Sequence, residues 1–313
     1  MTIKVDRLNL HEANNGNFNS KFRHLLNIYK IPIAAFLIFI IIGIVMWVIR
    51  DIRYFYLFLA IGSAEFSSRI FVIHFPKTKQ FFRLLVQGGL SVLFIAWLSL
   101  AIGVNFQFPE ILFDLSAGVV TGALIQMVVA RIILPFFFGN AFCSRACWSG
   151  FFFELTNSKK NISKLPKKRS ELLAWSYLIL LIIIPIIIAV FINNPAKDEE
   201  LRKIWIISEN LFIISVGFIL TFITGSRSYC RLLCPFITIS GLFSKYSLFK
   251  ITPIDSDSCT SCNLCTNACP MLIDVRKSVA KKEKISDKLC IVCERCVSSC
   301  PENVLKLTNK KAK

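Results

Sequence analysis

The sequence predicts a mainly α membrane protein that ends in a small α+β domain. Of its 313 residues, 55% are hydrophobic, and the mean hydropathy is +0.61. Several apolar runs reach the roughly 20 residues that a helix needs to cross bilayer hydrocarbon. After residue 250 the composition changes to that of a soluble domain, which contains eight of the 12 cysteines. We therefore expect a helical membrane bundle followed by a cysteine-rich domain.

Five apolar stretches predict membrane-spanning helices, at residues 31–49, 81–104, 112–138, 172–192 and 205–223. A sixth stretch, 54–75, is weaker because Glu65, Arg69 and His74 interrupt it. Pro185 is expected to kink its helix without ending it, because neighbouring helices can satisfy the freed carbonyl.

The distribution of basic residues predicts the topology. The stretch 140–171 holds seven lysines and arginines, so the positive-inside rule places it in the cytoplasm. The loop 193–204 mixes both charge signs and falls outside. The chain then returns to the cytoplasm near residue 226, so the C-terminus is inside. Basic residues place the turn at 77–83 and the N-terminus inside as well, which requires 54–75 to cross. We expect a bundle of six spans in the inner (cytoplasmic) membrane, with five as the alternative.

This topology divides the chain into four parts. They are a cytoplasmic N-terminal arm at 1–30, the bundle at 31–225, a membrane-surface connector at 226–250 and a cytoplasmic domain at 251–313. The formal net charge is +18, and most of the charges lie in short segments beside the spans, where lysine and arginine meet lipid headgroups. We therefore expect membrane lipid, and not nucleic acid, as a partner.

The C-terminal domain contains an internal repeat. Cys259-x2-Cys262-x2-Cys265-x3-Cys269-Pro270 is matched by Cys290-x2-Cys293-x2-Cys296-x3-Cys300-Pro301. Three closely spaced thiolates hold three corners of a [4Fe-4S] cube, and the other copy supplies the fourth ligand. Structural zinc also uses C-x2-C, but it needs two pairs rather than three evenly stepped cysteines. A disulfide framework does not suit a domain in the reducing cytoplasm.

The repeat resembles bacterial two-cluster ferredoxins. That resemblance implies a two-cluster ferredoxin-like fold with crossed ligation. Cluster one would take Cys259, Cys262, Cys265 and Cys300, and cluster two would take Cys290, Cys293, Cys296 and Cys269. The flanking segments 249–254 and 304–307 are candidate paired strands.

The other four cysteines form two C-x3-C pairs, Cys143 with Cys147 and Cys230 with Cys234. On a helical turn, residues i and i+4 lie on one face, so each pair can present both sulfurs together. Each pair follows the cytoplasmic end of a predicted span. A third cluster that bridges the pairs is one hypothesis. The alternatives are thiol-disulfide chemistry, binding of a soft metal such as Cu(I), and apolar packing.

Residues 81–307 resemble the membrane polyferredoxins of the NapH and NosR type, which are quinol-dehydrogenase membrane components associated with periplasmic reductases. Cys230-Arg231-Leu232-Leu233-Cys234-Pro235 matches their C-x3-C-P motif, and residues 139–147 resemble the first copy. Trp148 stands where a proline is expected after the first pair. The resemblance implies electron transfer from quinol, or a redox task in metalloenzyme maturation.

Charged residues inside a span are costly and are candidates for function. Glu65 and Arg69, with His74 nearby, could form a quinone or proton site, because they combine a proton acceptor with a hydrogen-bond donor. The structural alternative is a Glu65–Arg69 salt bridge that stabilises a buried helix. Arg131, near the cytoplasmic end of its helix, is expected to extend to the headgroups.

These features predict an iron-sulfur protein that relays electrons between a membrane redox partner, such as the quinone pool, and a protein partner. We expect no acid-base catalytic residue; the chain would be the electron-transfer component of an oxidoreductase, such as a quinol dehydrogenase. The alternative is an assembly, metal-handling or sensing protein that uses the dithiols. Basic residues could offset the cluster charge or form a docking face: Arg276, Lys277, Lys281, Lys282, Lys284, Lys288 and Arg295.

Overall fold

The structure is a computed structural model that describes residues 18–49, 52–75, 78–93, 106–119, 121–155, 167–192 and 194–309. The end of the predicted span 81–104 and the basic residues Lys159, Lys160 and Lys164 lie outside the described residues, as does most of the N-terminal arm. The chain divides into two compact units, Met1–Val86 and Gln87–Lys313. The described part is mainly helical and contains one two-stranded sheet.

A helical hairpin forms most of the first unit. Helix α1 (Phe18–Ile49) packs against helix α2 (Ile52–His74), and the rings of Phe36 and Phe66 lie 5.3 Å apart. A methyl group at Gly62 would come within 2.9 Å of Phe39, so the absence of a side chain permits the close approach of the two helices. Helix α3 (Lys79–Val92) follows.

Three helices of the described part are long and apolar enough to cross a membrane: Phe55–His74, Lys168–Phe191 and Glu199–Thr224. They coincide with the predicted spans 54–75, 172–192 and 205–223. The apolar part of α1, Pro32–Val48, is shorter. The predicted span 81–104 is described only to residue 93, so the described residues do not establish a six-helix bundle.

The predicted span 112–138 is wrong as one continuous helix. Helix α4 (Phe108–Ser116) ends soon after that span begins, and helix α5 (Gly122–Met127) starts after a turn. Polar bonds hold this turn: Thr121 Oγ1 donates to Asp114 Oδ2 at 2.9 Å, and Asn194 Nδ2 donates to the Phe113 carbonyl at 3.1 Å. Hydropathy misses the break because the turn contains few charged residues. The chain continues through a π-helical segment, Val128–Ile133, into helix α6 (Leu134–Phe138).

Beyond two short helices, α7 (Ala141–Arg145) and α8 (Trp148–Leu155), the chain forms two long ones. Helix α9 (Lys167–Ile187) continues through Pro185, as predicted, and ends in a π-helical segment, Ile188–Ile192. A 3-10 turn, Pro195–Lys197, leads to helix α10 (Glu199–Thr224). The Asp198 side chain accepts hydrogen bonds from the first N–H groups of α10, which otherwise lack partners.

Residues 226–250 fold as two helices, α11 (Ser228–Leu232) and α12 (Pro235–Ser244). Helix α12 packs against α6 and α9 and buries Phe236 and Ile237. Its ten residues are too few for a seventh span, which agrees with the sequence.

The C-terminal domain surrounds a short antiparallel sheet. Strands β1 (Lys250–Pro253) and β2 (Leu305–Thr308) pair with Ile251 opposite Leu307, which confirms the predicted strand pair. Three short helices connect them: α13 (Leu264–Asn267), α14 (Val275–Ala280) and α15 (Arg295–Ser298). The core consists of apolar side chains, namely Ile251, Val275, Val279, Ile285, Val304 and Leu305.

A buried charge cluster joins α4 to α10. Arg202 Nη2 lies 2.5 Å from Glu110 Oε1 and 3.0 Å from Asp114 Oδ1. Next to them, Gln107 Nε2 donates to Asn210 Oδ1 at 3.2 Å. Burial raises the pKa of Glu110 to about 7; Arg202 opposes this shift, and the Asp114 carboxylate adds to it. The sequence analysis did not identify this cluster, because nothing in the chain indicates that residues 110 and 202 meet.

We expect Gly217→Ala to destabilise the fold by about 1–3 kcal/mol, the usual cost of overpacking a core. A Cβ at Gly217 would overlap the ring of Phe153, which is fully buried between α8 and α10. Gly89→Ala in α3 is the matched control, because a Cβ there meets nothing within 4 Å. Thermal unfolding in detergent measures both. Equal melting temperatures for the two variants would contradict the packing.

We expect Glu110→Gln to stabilise the protein relative to wild type by an amount that grows as the pH rises from about 5 to about 8. The pKa of Glu110 in the folded protein, about 7, lies above its ordinary value of 4.5. The stability that comes from the neutral carboxyl is therefore fully present below pH 4.5, and it is lost as the pH rises through 7. Glutamine stays neutral over this range. Melting temperatures across the pH series, with the exposed Glu200→Gln as control, test this; a difference that does not change with pH would contradict the raised pKa.

Candidate metal centres

Four cysteines of the C-terminal domain line one cavity of about 370 Å³: Cys259, Cys262, Cys265 and Cys300. Three belong to the first run and one to the second, and this is the set that the ferredoxin resemblance assigns to cluster one. Arg276 also lines the cavity. Cys262 is exposed and the other three are half-buried, so this cavity lies near the surface.

The remaining four cysteines of the domain line a second cavity of about 320 Å³: Cys269, Cys290, Cys293 and Cys296. The resemblance assigns this set to cluster two. Apolar side chains, including Met271 and Ile291, complete the lining, and both are buried. Cys293 and Cys296 are buried as well, so the second cavity is the more enclosed of the two.

The two cysteine runs fold alike. In the first run Ser261 and Asn263 have φ of 57° and 63°, and in the second Val292 and Glu294 have φ of 51° and 61°. Left-handed backbone is uncommon for residues other than glycine and is strained for a β-branched residue such as Val292. These residues alternate with cysteines and curl each run around its cavity. Such strain is typical of ligand-binding loops.

Within the described residues, no group of three or more cysteine, histidine, aspartate or glutamate side chains is arranged to hold a metal ion. Each of the two cavities is lined by three cysteines of one run and one of the other. This is the ligand pattern that a [4Fe-4S] cluster takes in a two-cluster ferredoxin.

Each C-x3-C pair follows a glycine that ends a helix. Gly139, with φ of 60°, ends α6 and precedes α7, which carries Cys143. Gly225, with φ of 88°, ends α10 and precedes α11, which carries Cys230. Glycine adopts positive φ without steric cost, so the chain can turn sharply at both positions. The two pairs thus share one local design: a helix, a glycine turn and a short helix that carries the first cysteine.

Cysteines of both pairs lie in one apolar core. Cys143 and Cys230 are buried there with Phe153 and Tyr229, and Cys234 packs against them. Cys293 belongs to the same core, and Cys269 packs against it. The core therefore extends without interruption from the pairs to the second cavity.

Burial raises the pKa of the Cys143, Cys230 and Cys234 thiols. The pKa of Cys234 rises to about 12, and those of Cys143 and Cys230 also lie above the usual value. Repulsion among the four sulfurs adds to the shift, while Arg131 and Arg227 oppose it. Thiolates at this position need positive charge nearby, from bound metal or from the arginines. Thiol-disulfide exchange needs an accessible thiolate of low pKa, and the burial of Cys143 and Cys230 opposes it.

The expectation that Arg131 extends to the headgroups is wrong. Its side chain is 2% exposed, and its guanidinium lies between the rings of Phe142 and Phe236, 4.4 and 4.7 Å from their centroids. Nη1 donates to Cys143 Sγ at 3.0 Å. The guanidinium is therefore stabilised by two aromatic rings and a sulfur acceptor instead of by lipid headgroups.

A second buried arginine connects the pairs to the C-terminal domain. Arg227 forms a fully buried ion pair with Glu154, and its Nη1 donates to the Cys143 carbonyl at 3.0 Å. Glu154 also pairs with Arg295, which lies within the second cysteine run, at 2.6 Å. Arg145, between the first two cysteines, pairs with Glu294 at 2.8 Å. The sequence analysis missed Arg227 and Glu154, which flank the cysteine motifs and belong to none of them.

The structure does not bring the predicted quinone residues into one site. Arg69 Nε donates to Glu65 Oε1 at 2.7 Å, which is the salt bridge of the structural alternative. His74 interacts elsewhere, with the Ile70 carbonyl at 2.9 Å and with the Tyr29 hydroxyl at 3.3 Å. No described contact joins His74 to Glu65.

Two protein-family models match this chain. A 4Fe-4S dicluster domain matches residues 258–305, which contain all eight cysteines of the repeat. A 4Fe-4S binding domain matches residues 120–169 and 210–252, and each of these segments contains one C-x3-C pair. No solved structure matches the chain.

Among curated proteins, an uncharacterized protein of Methanocaldococcus jannaschii is 27% identical over 53% of this chain and 65% of its own length. This chain therefore spans less than two thirds of that relative. YccM of Escherichia coli, which is named as an electron transport protein, is 28% identical over 61% of this chain and 57% of its own length. MauN of Paracoccus denitrificans, a ferredoxin-type protein named for methylamine utilization, is 27% identical over 25% of this chain and 27% of its own length. Together with the family models, these relatives support an iron-sulfur electron-transfer role.

Proposed function

We propose that this chain is a membrane-bound relay with three [4Fe-4S] clusters, which passes single electrons between a redox partner in the membrane and a protein partner. The proposed ligands are Cys259, Cys262, Cys265 and Cys300 for cluster one, Cys290, Cys293, Cys296 and Cys269 for cluster two, and Cys143, Cys147, Cys230 and Cys234 for the third. The domains would be those expected from the sequence, with the repeat at 251–313 in the cytoplasm.

The observation that carries this proposal is the apolar core shared by the C-x3-C pairs and the second cavity. Cys143, Cys230 and Cys293 belong to that core, and Cys269 packs against it. Cysteines of the repeat line the cavities in the two crossed sets that a ferredoxin requires. The order of the centres would be the third cluster, then cluster two, then cluster one at the exposed end of the domain.

A bound [4Fe-4S] cluster supplies one-electron chemistry, and the surrounding protein sets its position and potential. In this chain the buried residues exclude water, and arginines provide positive charge beside the thiolates. Gln87 Nε2 donates to the Cys147 carbonyl at 2.8 Å, which fixes the backbone of the first pair. The residues that we assign to the site therefore orient ligands and tune potentials, and none acts on a substrate.

The partners follow from the two ends of this relay. At the membrane end, the resemblance to polyferredoxins of the NapH and NosR type favours the quinone pool. At the exposed end, Arg276 beside cluster one could contact an acidic electron carrier. Several other basic residues already have partners: Lys282 pairs with Asp257, Lys288 with Glu171, and Arg295 with Glu154.

We expect the anaerobically purified protein to contain about twelve irons per chain, and the double variant Cys143→Ser with Cys230→Ser to contain about eight, because each cluster binds four. Cys259→Ser is the matched control. It should remove cluster one and leave the third cluster. Iron and sulfide analysis counts the clusters, and electron paramagnetic resonance shows which signal disappears.

Two results would contradict the three-cluster relay. One is about eight irons in the wild type and in the double variant alike, with copper or zinc bound at the pairs. That outcome favours a metal-handling protein. The other result is a protein that contains all three clusters but does not exchange electrons with any quinone. That outcome would exclude the quinone pool as the membrane partner.

A further inference from the structure

Arg131 is buried next to the C-x3-C pairs, and no carboxylate of the described residues pairs with it. The contacts of its guanidinium, as far as the structure describes them, are the rings of Phe142 and Phe236 and the sulfur of Cys143. Its buried Nε has no hydrogen-bond partner in the part of the chain that the structure describes. A guanidinium stays protonated in proteins, so a full positive charge is enclosed at this position.

An enclosed charge is costly unless an opposite charge lies close to it. Arg227 shows the usual solution, because Glu154 neutralises it within the same region. Among the described contacts of Arg131, one hydrogen-bonded group can become an anion. This group is the thiol of Cys143, whose sulfur lies 3.0 Å from Nη1. The burial of Arg131 is therefore explained if Cys143 is a thiolate, as it is when it ligates iron.

We propose that Arg131 is a positioning residue of the third cluster, which donates a hydrogen bond to the Cys143 thiolate and raises the reduction potential of that cluster. This inference rests on the proposed third cluster. A cluster held by four thiolates carries net negative charge, and reduction adds one more electron. A nearby positive charge stabilises the reduced state more than the oxidised state, and hydrogen bonds to ligand sulfur act in the same direction.

Two aromatic rings hold the guanidinium in place. Phe142 precedes the ligand Cys143, and Phe236 lies at the start of α12, two residues after Cys234. The rings therefore come from both cysteine motifs, and stacking between them fixes the guanidinium plane and directs Nη1 at the sulfur. Lysine would keep the charge and lose both the planar stacking and the fixed direction of the hydrogen bond.

Redox titration followed by electron paramagnetic resonance tests this proposal on the full-length protein. In Arg131→Met, which keeps an apolar side chain of similar length between the rings, the midpoint potential of the third centre should move to more negative values. Arg131→Lys should give an intermediate value. Arg276→Met is the matched control, because it removes an arginine beside cluster one and should leave the third centre unchanged.

A second measurement does not depend on the variants retaining their clusters. In wild-type protein labelled with 15N-arginine, pulsed electron paramagnetic resonance of the reduced third centre should detect a hyperfine coupling to a guanidinium nitrogen. No such coupling, or an unchanged potential in Arg131→Met with a full complement of iron, would overturn the role of Arg131. Failure of the proposed function is a different result, since the wild type would then lack the third centre altogether.

Discussion

The ion pair between Arg227 and Glu154 stabilises the second unit where helix α8, the first C-x3-C pair and the C-terminal domain meet. Both side chains are fully buried, so removing either would leave the other charged and enclosed, which typically costs about 3–5 kcal/mol. Arg227 also binds the backbone of Cys143, and Glu154 also binds Arg295 of the C-terminal domain. One buried pair thereby links α8, the first cysteine pair and the second cysteine run.

This linkage has a direct consequence for electron transfer. The C-terminal domain is connected to the helices by the chain near residue 250 and also by side-chain contacts. Asn140 Nδ2 donates to the Lys288 carbonyl at 2.8 Å, and Arg145 pairs with Glu294. These contacts fix the second cavity against the C-x3-C pairs, within one apolar core. The proposed relay needs its centres held at constant separations, and charged and polar contacts around an apolar core provide such a fixed arrangement.

Sequence reasoning succeeded where the information is local. The strand pair near residues 251 and 307, which the structure confirms, followed from the ferredoxin pattern. The same resemblance implied the two crossed sets of cysteines, and each set lines one cavity. It failed where distant residues decide the outcome. The break after Ser116 depends on Asn194, and the inward position of Arg131 depends on Phe236, so hydropathy along the chain could predict neither. Arg227 and Glu154 carry no motif, and their pairing is visible only in three dimensions.

The central claim is that a third iron centre lies between the two C-x3-C pairs, beside cluster two. The most direct measurement is a crystal structure of anaerobically purified protein with anomalous diffraction recorded at the iron absorption edge. Our account predicts three groups of anomalous peaks per chain, one of them enclosed by Cys143, Cys147, Cys230 and Cys234 and within hydrogen-bond reach of Arg131. Two groups only, both inside the C-terminal domain, would contradict it.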